Sequence, residues 1–513
     1  MRKLNMIEPE LTYINEPNLT FGFNQKASDP RDGLMLFGPF YKDKIKGQIN
    51  IGIIGPEKQR NYLIDFLKQI HKPIFGIKKD VARPYFPGLE SIFGIHINFN
   101  NLSEVEVSES DIIKFLHYED GHQRVHNLTN LYSEKLALYH KQEEQPISMW
   151  FVVIPDDVYK FGRPNSKIPK AADNIKVGLS KKDRNSTQSF LFDEMNEEKE
   201  ALQEAYDFEI NFHNQLKAKL LNDKIVTQVI RESTIAYEKT WTNEKRIEKE
   251  RIFDTAKAWN ISTTMYYKVG GLPWRLGDVR DDVCYLGLVY KKLDKSDASR
   301  NACCAAQMFL DSGDGMVFRG NIGPWYNPET KEYHISKDDA NKLISQSLEA
   351  FKAKLGNGKY PKQIFIHAKT YFDDDEWEGF SEAVAGKSEI VGVRIQSTSN
   401  FKLYRQFKFC VPRGMAMLMS DSKAFLWTKG FIPRLQTQIG LETPNPISVE
   451  VTRGKEDIKQ VCKDILALTK LNYNACIYGD GEPVTLRFAD SIGEVLTAGK
   501  NVISDVLPFK HYV

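Results

Sequence analysis

The stretch Met149-Trp150-Phe151-Val152-Val153-Ile154-Pro155 indicates the fold class of this chain. Its apolar residues do not alternate with polar ones, which is typical of a strand buried on both faces in a parallel sheet. Residues 48–56 form a second apolar run that ends in Gly-Pro, and residues 57–72 follow it with a helical pattern. This succession of strand and helix predicts an α/β layer architecture.

The C-terminal half shows the same alternation. Residues 283–290 predict a buried strand, and residues 305–310 and 316–319 predict its antiparallel neighbours. A helix is predicted over residues 336–356, with Ser336 as N-cap and Gly356 as its stop, and a strand over residues 363–367. Strands first and helices between later strands predict a ribonuclease H-like α/β sheet.

Two further segments carry structural expectations. Residues 33–39, Gly-Leu-Met-Leu-Phe-Gly-Pro, predict a short strand that ends at glycine and proline. Residues 160–190 are rich in Lys, Asn, Ser and Asp and poor in apolar residues, which predicts an exposed loop or insertion.

Composition bounds the class of protein. The 513 residues are 41% hydrophobic, which is enough for sizeable cores and excludes a disordered chain. The 70 Lys and Arg nearly balance the 68 Asp and Glu, so the formal charge is only +2. A nucleic-acid protein usually carries a clear basic excess, and any site for a polyanion must therefore be local.

The compartment follows from what the sequence lacks. The six cysteines form no C-x-x-C pair and no zinc-type spacing, which favours buried thiols in a reducing compartment. No stretch approaches the ~18 consecutive apolar residues of a transmembrane helix. The first residues also have no signal-peptide core, so we expect a cytoplasmic protein without a membrane partner.

Two neighbouring segments have the residue types of a phosphate site. His213 and Lys217 are four residues apart and share one helical face, and Gln228 lies in the strand that follows. Farther on, Lys268 precedes the pair Gly270-Gly271, which permits close approach of the backbone to a charged ligand. A solvated helix face and an ordinary turn are the alternative interpretations, and neither motif is decisive unaided.

Taken together and in this order, these residues resemble the MID domain of Argonaute proteins. In that family a Tyr or similar residue, a Lys four residues later, a Gln in the next strand and a Lys just before Gly-Gly grip the 5′-phosphate of a guide strand. The resemblance assigns these roles to His213, Lys217, Gln228 and Lys268, with His213 in place of the common Tyr. Asn260 stands eight residues before Lys268, as in the family pattern.

The same resemblance implies a cofactor. A divalent cation, Mg²⁺, is expected at the guide 5′-phosphate, where the C-terminal carboxylate also binds it. In this chain that carboxylate belongs to Val513.

The downstream sequence resembles a PIWI domain, the ribonuclease H-like module of the family. The motifs are Gly270-Gly271-Leu272-Pro273-Trp274 at the junction and Tyr285-Leu286-Gly287-Leu288-Val289 in the first strand. We therefore expect a Rossmann-like MID domain with an N-terminal extension over residues 1–275 and a PIWI domain over residues 276–513. The length leaves no room for N-terminal and PAZ domains, so the chain is similar to a short prokaryotic Argonaute.

The resemblance also implies that the PIWI domain does not cut. Slicing Argonautes carry an Asp where this chain has Val289, and a second where it has Ala368 and Lys369. Asp490 aligns with the last carboxylate, but a single carboxylate cannot hold two metal ions. The acidic run at residues 373–376 is interpreted as the first turn of a helix, where negative charge offsets the macrodipole.

The expected function is guide-RNA-dependent recognition of invading plasmid or phage single-stranded DNA. Short Argonautes of this kind act with a partner that carries an APAZ domain fused to an effector. A TIR effector that depletes NAD is expected here, with oligomerisation of the heterodimer on target binding, and Sir2-APAZ and nuclease-APAZ partners are the alternatives. Two other hypotheses stay open. One is a metal nuclease that uses Asp490 with Asp281, Asp282 or Asp311, and the other is a scaffold that binds only protein.

Overall fold

The structure is a computed structural model, and its description covers most of the chain. The described residues are 9–40, 45, 47–75, 81–82, 84–142, 146–171, 173–179, 199–200, 202–236, 244–278, 280, 282–292, 302–310, 315–323, 325–327, 329–354, 358–398, 401–406, 408–438, 443–499 and 507–512.

The secondary structure alternates between strands and helices. The helices are α1 (Pro30–Phe37), α2 (Glu57–Ile70), α3 (Leu89–Phe93), α4 (Glu109–Leu116), α5 (Gly121–Gln142), α6 (Asp156–Phe161), α7 (Phe212–Leu221), α8 (Glu232–Ile235), α9 (Glu244–Lys268), α10 (Lys337–Lys354), α11 (Asp374–Val384), α12 (Ile458–Leu468) and α13 (Val484–Leu496). The strands are β1 (Glu10–Tyr13), β2 (Leu19–Thr20), β3 (Lys26–Ala27), β4 (Gly47–Ile49), β5 (Ile51–Gly55), β6 (Ile95–Ile97), β7 (Ser103–Glu106), β8 (Met149–Ile154), β9 (Thr227–Arg231), β10 (Arg275–Leu276), β11 (Val283–Lys292), β12 (Ala302–Leu310), β13 (Gly315–Gly323), β14 (Tyr326–Asn327), β15 (Glu332–Tyr333), β16 (Gln363–Ala368), β17 (Glu389–Ser397), β18 (Met415–Ser420), β19 (Lys423–Leu426), β20 (Phe431–Ile432), β21 (Thr437–Gln438) and β22 (Ile447–Arg453).

A four-stranded parallel sheet forms the centre of the N-terminal half. Its order is β7-β5-β8-β9, and each neighbouring pair is parallel. Every residue of β8 is buried, because α2 covers one face of the sheet and α5 and α7 cover the other. The prediction of a strand buried on both faces is therefore confirmed.

A nine-stranded mixed sheet forms the centre of the C-terminal half. Its order is β1-β18-β19-β22-β17-β16-β11-β12-β13. Strands β11, β16 and β17 are mutually parallel. Strand β12 is the antiparallel neighbour of β11, as predicted, whereas β13 pairs antiparallel with β12 and not with β11. Helices α10 and α11 pack on one face, and α12 and α13 pack on the other.

Helix α13 crosses β11 at very short range. A Cβ atom placed on Gly287 would lie 1.8 Å from the carbonyl oxygen of Thr485, in the first turn of α13. Only glycine leaves room for this backbone approach. Beside it, Nδ1 of the buried His367 lies 2.9 Å from Oγ1 of Thr485 and ties β16 to the same helix.

The N-terminal residues join the second sheet. Strand β1 pairs antiparallel with β18, so that Glu10 lies opposite Leu418. Glu16 follows and accepts hydrogen bonds from Arg413 Nε at 3.0 Å and from Lys470 Nζ at 2.6 Å. Both cationic side chains are buried, and this ionic cluster holds the N-terminal segment on the sheet.

The predicted strand at residues 33–39 is wrong. This segment belongs to α1, which begins at Pro30 after the N-cap Asp29. The Asp29 carboxylate accepts a hydrogen bond from the backbone N–H of Arg31, and proline suits the first helical position because it needs no hydrogen-bond partner for its nitrogen. These start signals outweigh the Gly-Pro stop that suggested a strand.

The expected insertion is described only in part. Residues 162–171 and 173–179 contain no helix or strand beyond a bridge of Ile175 to Tyr118. Residues 180–198 lie outside the described residues. The boundary between residues 275 and 276 stays a prediction. None of the described helices combines the length and the hydropathy needed to cross a bilayer.

Candidate nucleic-acid interface

Two lysines predicted to bind phosphate meet at one backbone atom. Nζ of Lys217, from α7, donates to the carbonyl oxygen of Thr227 at 2.9 Å, and Nζ of Lys268, from the end of α9, donates to the same oxygen at 2.7 Å. Both side chains are almost completely buried. The fold thus brings two lysine side chains from distant segments together.

Burial changes the acidity of this pair. Desolvation lowers the pKa of Lys217 to about 7. Desolvation also places the pKa of Lys268 well below its usual range, and the neighbouring Lys217 lowers it further. An anion that approached the pair would favour both charged forms.

A cavity of about 580 Å³ lies beside the lysine pair. The amino-terminal end of α7 opens into it through Asn211, Phe212, His213 and Asn214, and its wall includes Gln228. A helix amino terminus offers free N–H groups and the positive end of the macrodipole to an anion. The cavity therefore combines room for a ligand with a positive electrostatic environment.

The five predicted phosphate-site residues do not all line this cavity. His213 and Gln228 line it, while Lys217 and Lys268 lie behind the wall, at Thr227. Asn260 faces away from it, because its Oδ1 accepts a hydrogen bond from the backbone N–H of Cys476 at 2.9 Å. In this state Asn260 fixes the loop after α12.

His213 is exposed to solvent where it lines the cavity, next to the buried Phe212 and Asn214. Desolvation, together with the charges of Lys217 and Lys268, lowers its pKa to about 4. The imidazole is therefore neutral at pH 7. It can stack or form hydrogen bonds in the place of the common Tyr, but it contributes no charge.

Three cavity residues were not identified from the sequence. Tyr159 at the end of α6 lies between two guanidinium groups, with Arg163 3.5 Å and Arg231 4.2 Å from its ring centroid. All three line the cavity. The sequence signal was the position of Arg231 at the end of a buried parallel strand, where ligand sites of open α/β sheets lie.

The C-terminal segment returns to the lysine pair. Phe509 packs on Tyr267 and Phe488, with ring centroids 6.3 Å and 4.7 Å apart. His511 is buried, and desolvation and the charges of Lys510, Lys217 and Lys268 lower its pKa to about 4. The described residues of this segment, up to Tyr512, thus include a side chain that lies within the electrostatic influence of the lysine pair.

The described residues do not form a Mg²⁺ site by themselves. Mg²⁺ prefers oxygen ligands, chiefly carboxylates, and the carboxylate of Glu494 is the single one on the cavity wall within the described part of the chain. Next to Thr227 the described side chains are lysines. The expected ligand, Val513, lies outside the described residues, so the Mg²⁺ site stays a prediction.

The predicted catalytic edge is the carboxyl end of β11 and β16. Gly287 lies opposite His367 in the parallel register, which places Val289 and Lys369 level with each other two residues on. Val289 and Ala368 are buried. These positions put apolar and cationic side chains at the edge where slicing relatives are expected to carry carboxylates.

Asp490 is held at this edge by Lys369. The two residues form an ion pair between the end of β16 and α13. Asp282 is at the opposite, amino-terminal end of β11, where it pairs with Lys362 at 2.8 Å. Asp282 therefore cannot join Asp490 in a metal site, while Asp281 and Asp311 lie outside the described residues.

The acidic run after β16 is the start of a helix, as interpreted from the sequence. Asp373 is the N-cap of α11, and its Oδ1 accepts a hydrogen bond from the backbone N–H of Glu376 at 2.8 Å. Glu376 is buried against His334 and Tyr290. Capping and the macrodipole account for these carboxylates.

Comparison with known proteins gives one consistent result. No family model matches the chain. The Argonaute protein of Aquifex aeolicus (strain VF5) is 22% identical over 300 residues, which cover 57% of this chain and 36% of that protein. The chain thus spans about a third of the length of this relative.

Solved structures show the same similarity over nearly the whole chain. Clostridium butyricum Argonaute bound to a guide DNA and a 19-mer target DNA superposes with a TM-score of 0.62 at 17% identity, over 98% of this chain and 55% of that one. A crystal structure of Aa-Ago with externally bound siRNA gives a TM-score of 0.57 at 16% identity, over 98% of this chain and 56% of that one. The chain therefore has the Argonaute fold, with a Rossmann-like MID domain followed by a ribonuclease H-like PIWI domain.

Proposed function

We propose that this protein binds a guide strand by its 5′-phosphate and uses base pairing of that guide to recognise a target strand. The observation that carries the proposal is the shared contact of Lys217 and Lys268 with the carbonyl oxygen of Thr227. The amino-terminal end of α7 opens next to this contact. Two buried ammonium groups and a helix terminus together favour a compact dianion.

A terminal phosphate suits this arrangement better than a phosphate within a strand. A terminal phosphate carries about −1.5 to −2 charges at pH 7, whereas an internal phosphodiester carries one. Each charge-assisted hydrogen bond to it contributes about 1.5–3 kcal/mol. The neutral His213 and the amide of Gln228 would complete the contacts from the cavity side.

We also propose that the protein binds its target without cutting it. Two-metal hydrolysis needs carboxylates that converge on both ions. The carboxyl edge of the PIWI sheet carries Val289, Ala368 and Lys369 instead, and Lys369 neutralises Asp490. The competing nuclease hypothesis cannot use Asp282 as a metal ligand beside Asp490, because Asp282 lies at the other end of β11 and pairs with Lys362.

The wider proposal follows from the resemblance to short Argonautes. An RNA guide would direct the protein to single-stranded plasmid or phage DNA. Target binding would then activate a partner that carries an APAZ domain, with a TIR NADase as the first candidate and oligomerisation as the trigger. Mass spectrometry of a native pull-down tests the partner, and sequencing of co-purified nucleic acid tests whether the guide is RNA or DNA.

The central experiment measures guide affinity by fluorescence anisotropy. Strands with a 5′-phosphate or a 5′-hydroxyl, in RNA and DNA form, are titrated with the wild type and with the double variant Lys217→Ala/Lys268→Ala. The double variant is expected to lose about tenfold or more in affinity for the phosphorylated strand and none for the hydroxyl strand.

The matched control is Lys219→Ala. Lys219 is on the same helix as Lys217, but it donates to Asn130 and lies over the Phe208 ring, away from Thr227. It should leave the phosphate preference unchanged. An unchanged preference in the double variant would refute the phosphate site.

A further inference from the structure

One segment of the PIWI domain departs from the balanced charge of the chain. Residues 390–420 contain five basic residues and no acidic one, a net charge of +5 in a chain whose total is +2. The basic residues are Arg394, Lys402, Arg405, Lys408 and Arg413. Arg413 is buried beside Glu16, and Arg394 lies 3.7 Å from Glu450. Lys402, Arg405 and Lys408 therefore form the local basic cluster that could attract a polyanion.

The loop between β17 and β18 lies at the carboxyl edge of the sheet and carries four of these residues: Lys402, Arg405, Lys408 and the buried Arg413. Strand β17 is parallel to β16, and Ala368 lies opposite Arg394, so β17 ends at the same edge as β11 and β16. Strand β18 begins at that edge, because β22, β19 and β18 alternate in direction after β17. The loop therefore passes the ends of β22 and β19 at this edge, on the side of β17 that faces away from β16 and β11.

Aromatic contacts fix the two ends of this loop. Phe401 packs on Phe425 and Trp427, with ring centroids 5.0 Å and 5.8 Å apart. Phe409 stacks on Phe431 at 4.2 Å. Residues 402–406 and Lys408 are thus held at the sheet edge.

The middle of the loop presents an aromatic ring among cations. Tyr404 is 73% exposed, and Arg405 and Lys408 are exposed beside it. The loop thus offers a ring for stacking next to cations that can bind phosphate.

We propose that residues 401–406 and 408–410, the aromatic-basic loop, bind an unpaired stretch of nucleic acid. A base would stack on Tyr404 while Lys402, Arg405 and Lys408 contact phosphates. This inference rests on the proposed function for its ligand, because the strand would be part of the guide or target, but it uses a separate site. The combination of stacking rings and a cationic surface is the general mode of single-strand binding.

A protein partner fits this surface less well. Lysine is depleted in protein–protein interfaces, whereas Lys402 and Lys408 flank the exposed ring. A base has a π-face irrespective of its sequence, so such a loop would hold strands without selecting among them.

The test compares Tyr404→Ala with Tyr404→Phe in the full chain. Affinities are measured by anisotropy for a single-stranded oligonucleotide and for a fully paired blunt duplex, each with a 5′-phosphate or a 5′-hydroxyl. Tyr404→Ala is expected to weaken single-strand binding about tenfold. Tyr404→Phe keeps the ring and should bind like the wild type, and duplex binding should not change.

The comparison of strands with a 5′-phosphate and with a 5′-hydroxyl distinguishes this loop site from the phosphate site at Lys217 and Lys268. Tyr404→Ala should lower the affinity for the 5′-phosphate strand and for the 5′-hydroxyl strand by the same factor. If the wild type shows no preference for a 5′-phosphate while the effect of Tyr404→Ala persists, the proposed function fails and the loop site stands. Unchanged single-strand affinity in Tyr404→Ala overturns the loop site, and loss of a co-purifying protein instead would assign the surface to a protein.

Discussion

Lys369 and Asp490 form an ion pair at the carboxyl end of β16, in the nine-stranded sheet. Lys369 follows β16, and Asp490 is on α13. The pair places a cation where a slicing site would need a divalent metal.

We predict that the protein leaves a complementary target intact. Purified protein is incubated with guide, target and Mn²⁺ or Mg²⁺, and the products are separated on a denaturing gel. No guide-dependent product is expected from the wild type or from Asp490→Asn. A product that depends on the guide and disappears in Asp490→Asn would contradict the proposal, and cleavage by DNase I shows that the target is a competent substrate.

Guide binding should weaken as the pH rises above 7. The pKa of Lys217 is about 7 in the free protein because burial disfavours its charge. A bound phosphate raises that pKa, so binding above pH 7 requires uptake of a proton, and affinity falls by up to about tenfold per pH unit. Below about pH 6 the phosphate itself gains a proton, which places the optimum between pH 6 and 7.

Anisotropy from pH 5.5 to 8.5 measures this dependence. The 5′-hydroxyl strand is the control and should show a flatter profile. Lys217→Arg stays charged throughout this range, and it should reduce the loss of affinity above pH 7, leaving the part that comes from the lowered pKa of Lys268. A wild-type affinity for the phosphorylated strand that is constant from pH 7 to 8.5 would show that Lys217 is not coupled to the phosphate.

Gly287→Ala should disrupt the PIWI domain. The added Cβ would lie 1.8 Å from the Thr485 carbonyl, and neither backbone can move without separating β11 from α13. Overpacking in a core typically lowers the free energy of unfolding by about 1–3 kcal/mol. Because the clash here is with backbone atoms, we expect a loss of about 3 kcal/mol or more. The midpoint of thermal unfolding measures the loss.

Gly493→Ala is the matched control for that substitution. Gly493 is also in α13, but a Cβ there would meet only Lys291 Cβ at 3.7 Å, an ordinary contact. Alanine is a better helix former than glycine, so this variant should be as stable as the wild type or slightly more stable. Equal stability of the two variants would show that α13 does not cross β11 as described.

The cluster of Glu16, Arg413 and Lys470 should make stability depend on pH. Burial alone would raise the pKa of Glu16, but Arg413 and Lys470 outweigh it and hold the pKa below its usual range. A depressed carboxylate pKa contributes stability above the pKa of the unfolded chain, and this contribution is lost as the pH falls through the folded value. Acid should therefore destabilise the wild type partly through this cluster.

Glu16→Gln tests that contribution. The variant leaves two buried cations without their carboxylate, and we expect a loss of about 3 kcal/mol or more at pH 7. Its stability should change less than that of the wild type between pH 5 and pH 3. Equal stability of the two proteins at pH 7 would show that the cluster does not hold the N-terminal segment.

Local pattern was enough to predict much of the fold. The apolar runs of β8 and β11 and the helical spacing of α10 each specify an element from neighbouring residues alone. The strand predicted at residues 33–39 failed because the capping of α1 by Asp29 lies outside the apolar run. The capping signal also lies in neighbouring residues, because Asp29 followed by Pro30 is a typical helix start.

The sequence indicated which residue types to expect at the candidate site, but not their arrangement. The family resemblance brought Lys217 and Lys268 into one hypothesis, and the structure brings them to one oxygen atom. Spacing could not show that Asn260 turns toward Cys476, or that Tyr159 lies between Arg163 and Arg231. These contacts join segments far apart in sequence, and only the folded chain determines them.

The pairing of β1 with β18 also affects how the protein is made. Glu10 lies opposite Leu418, so the first strand leaves the ribosome about 400 residues before its partner. At about 5–20 residues per second, that delay is about 20–80 seconds. During synthesis this segment, with Leu11 and Tyr13, remains without its neighbour, and this edge of the large sheet forms only after β18 has been made.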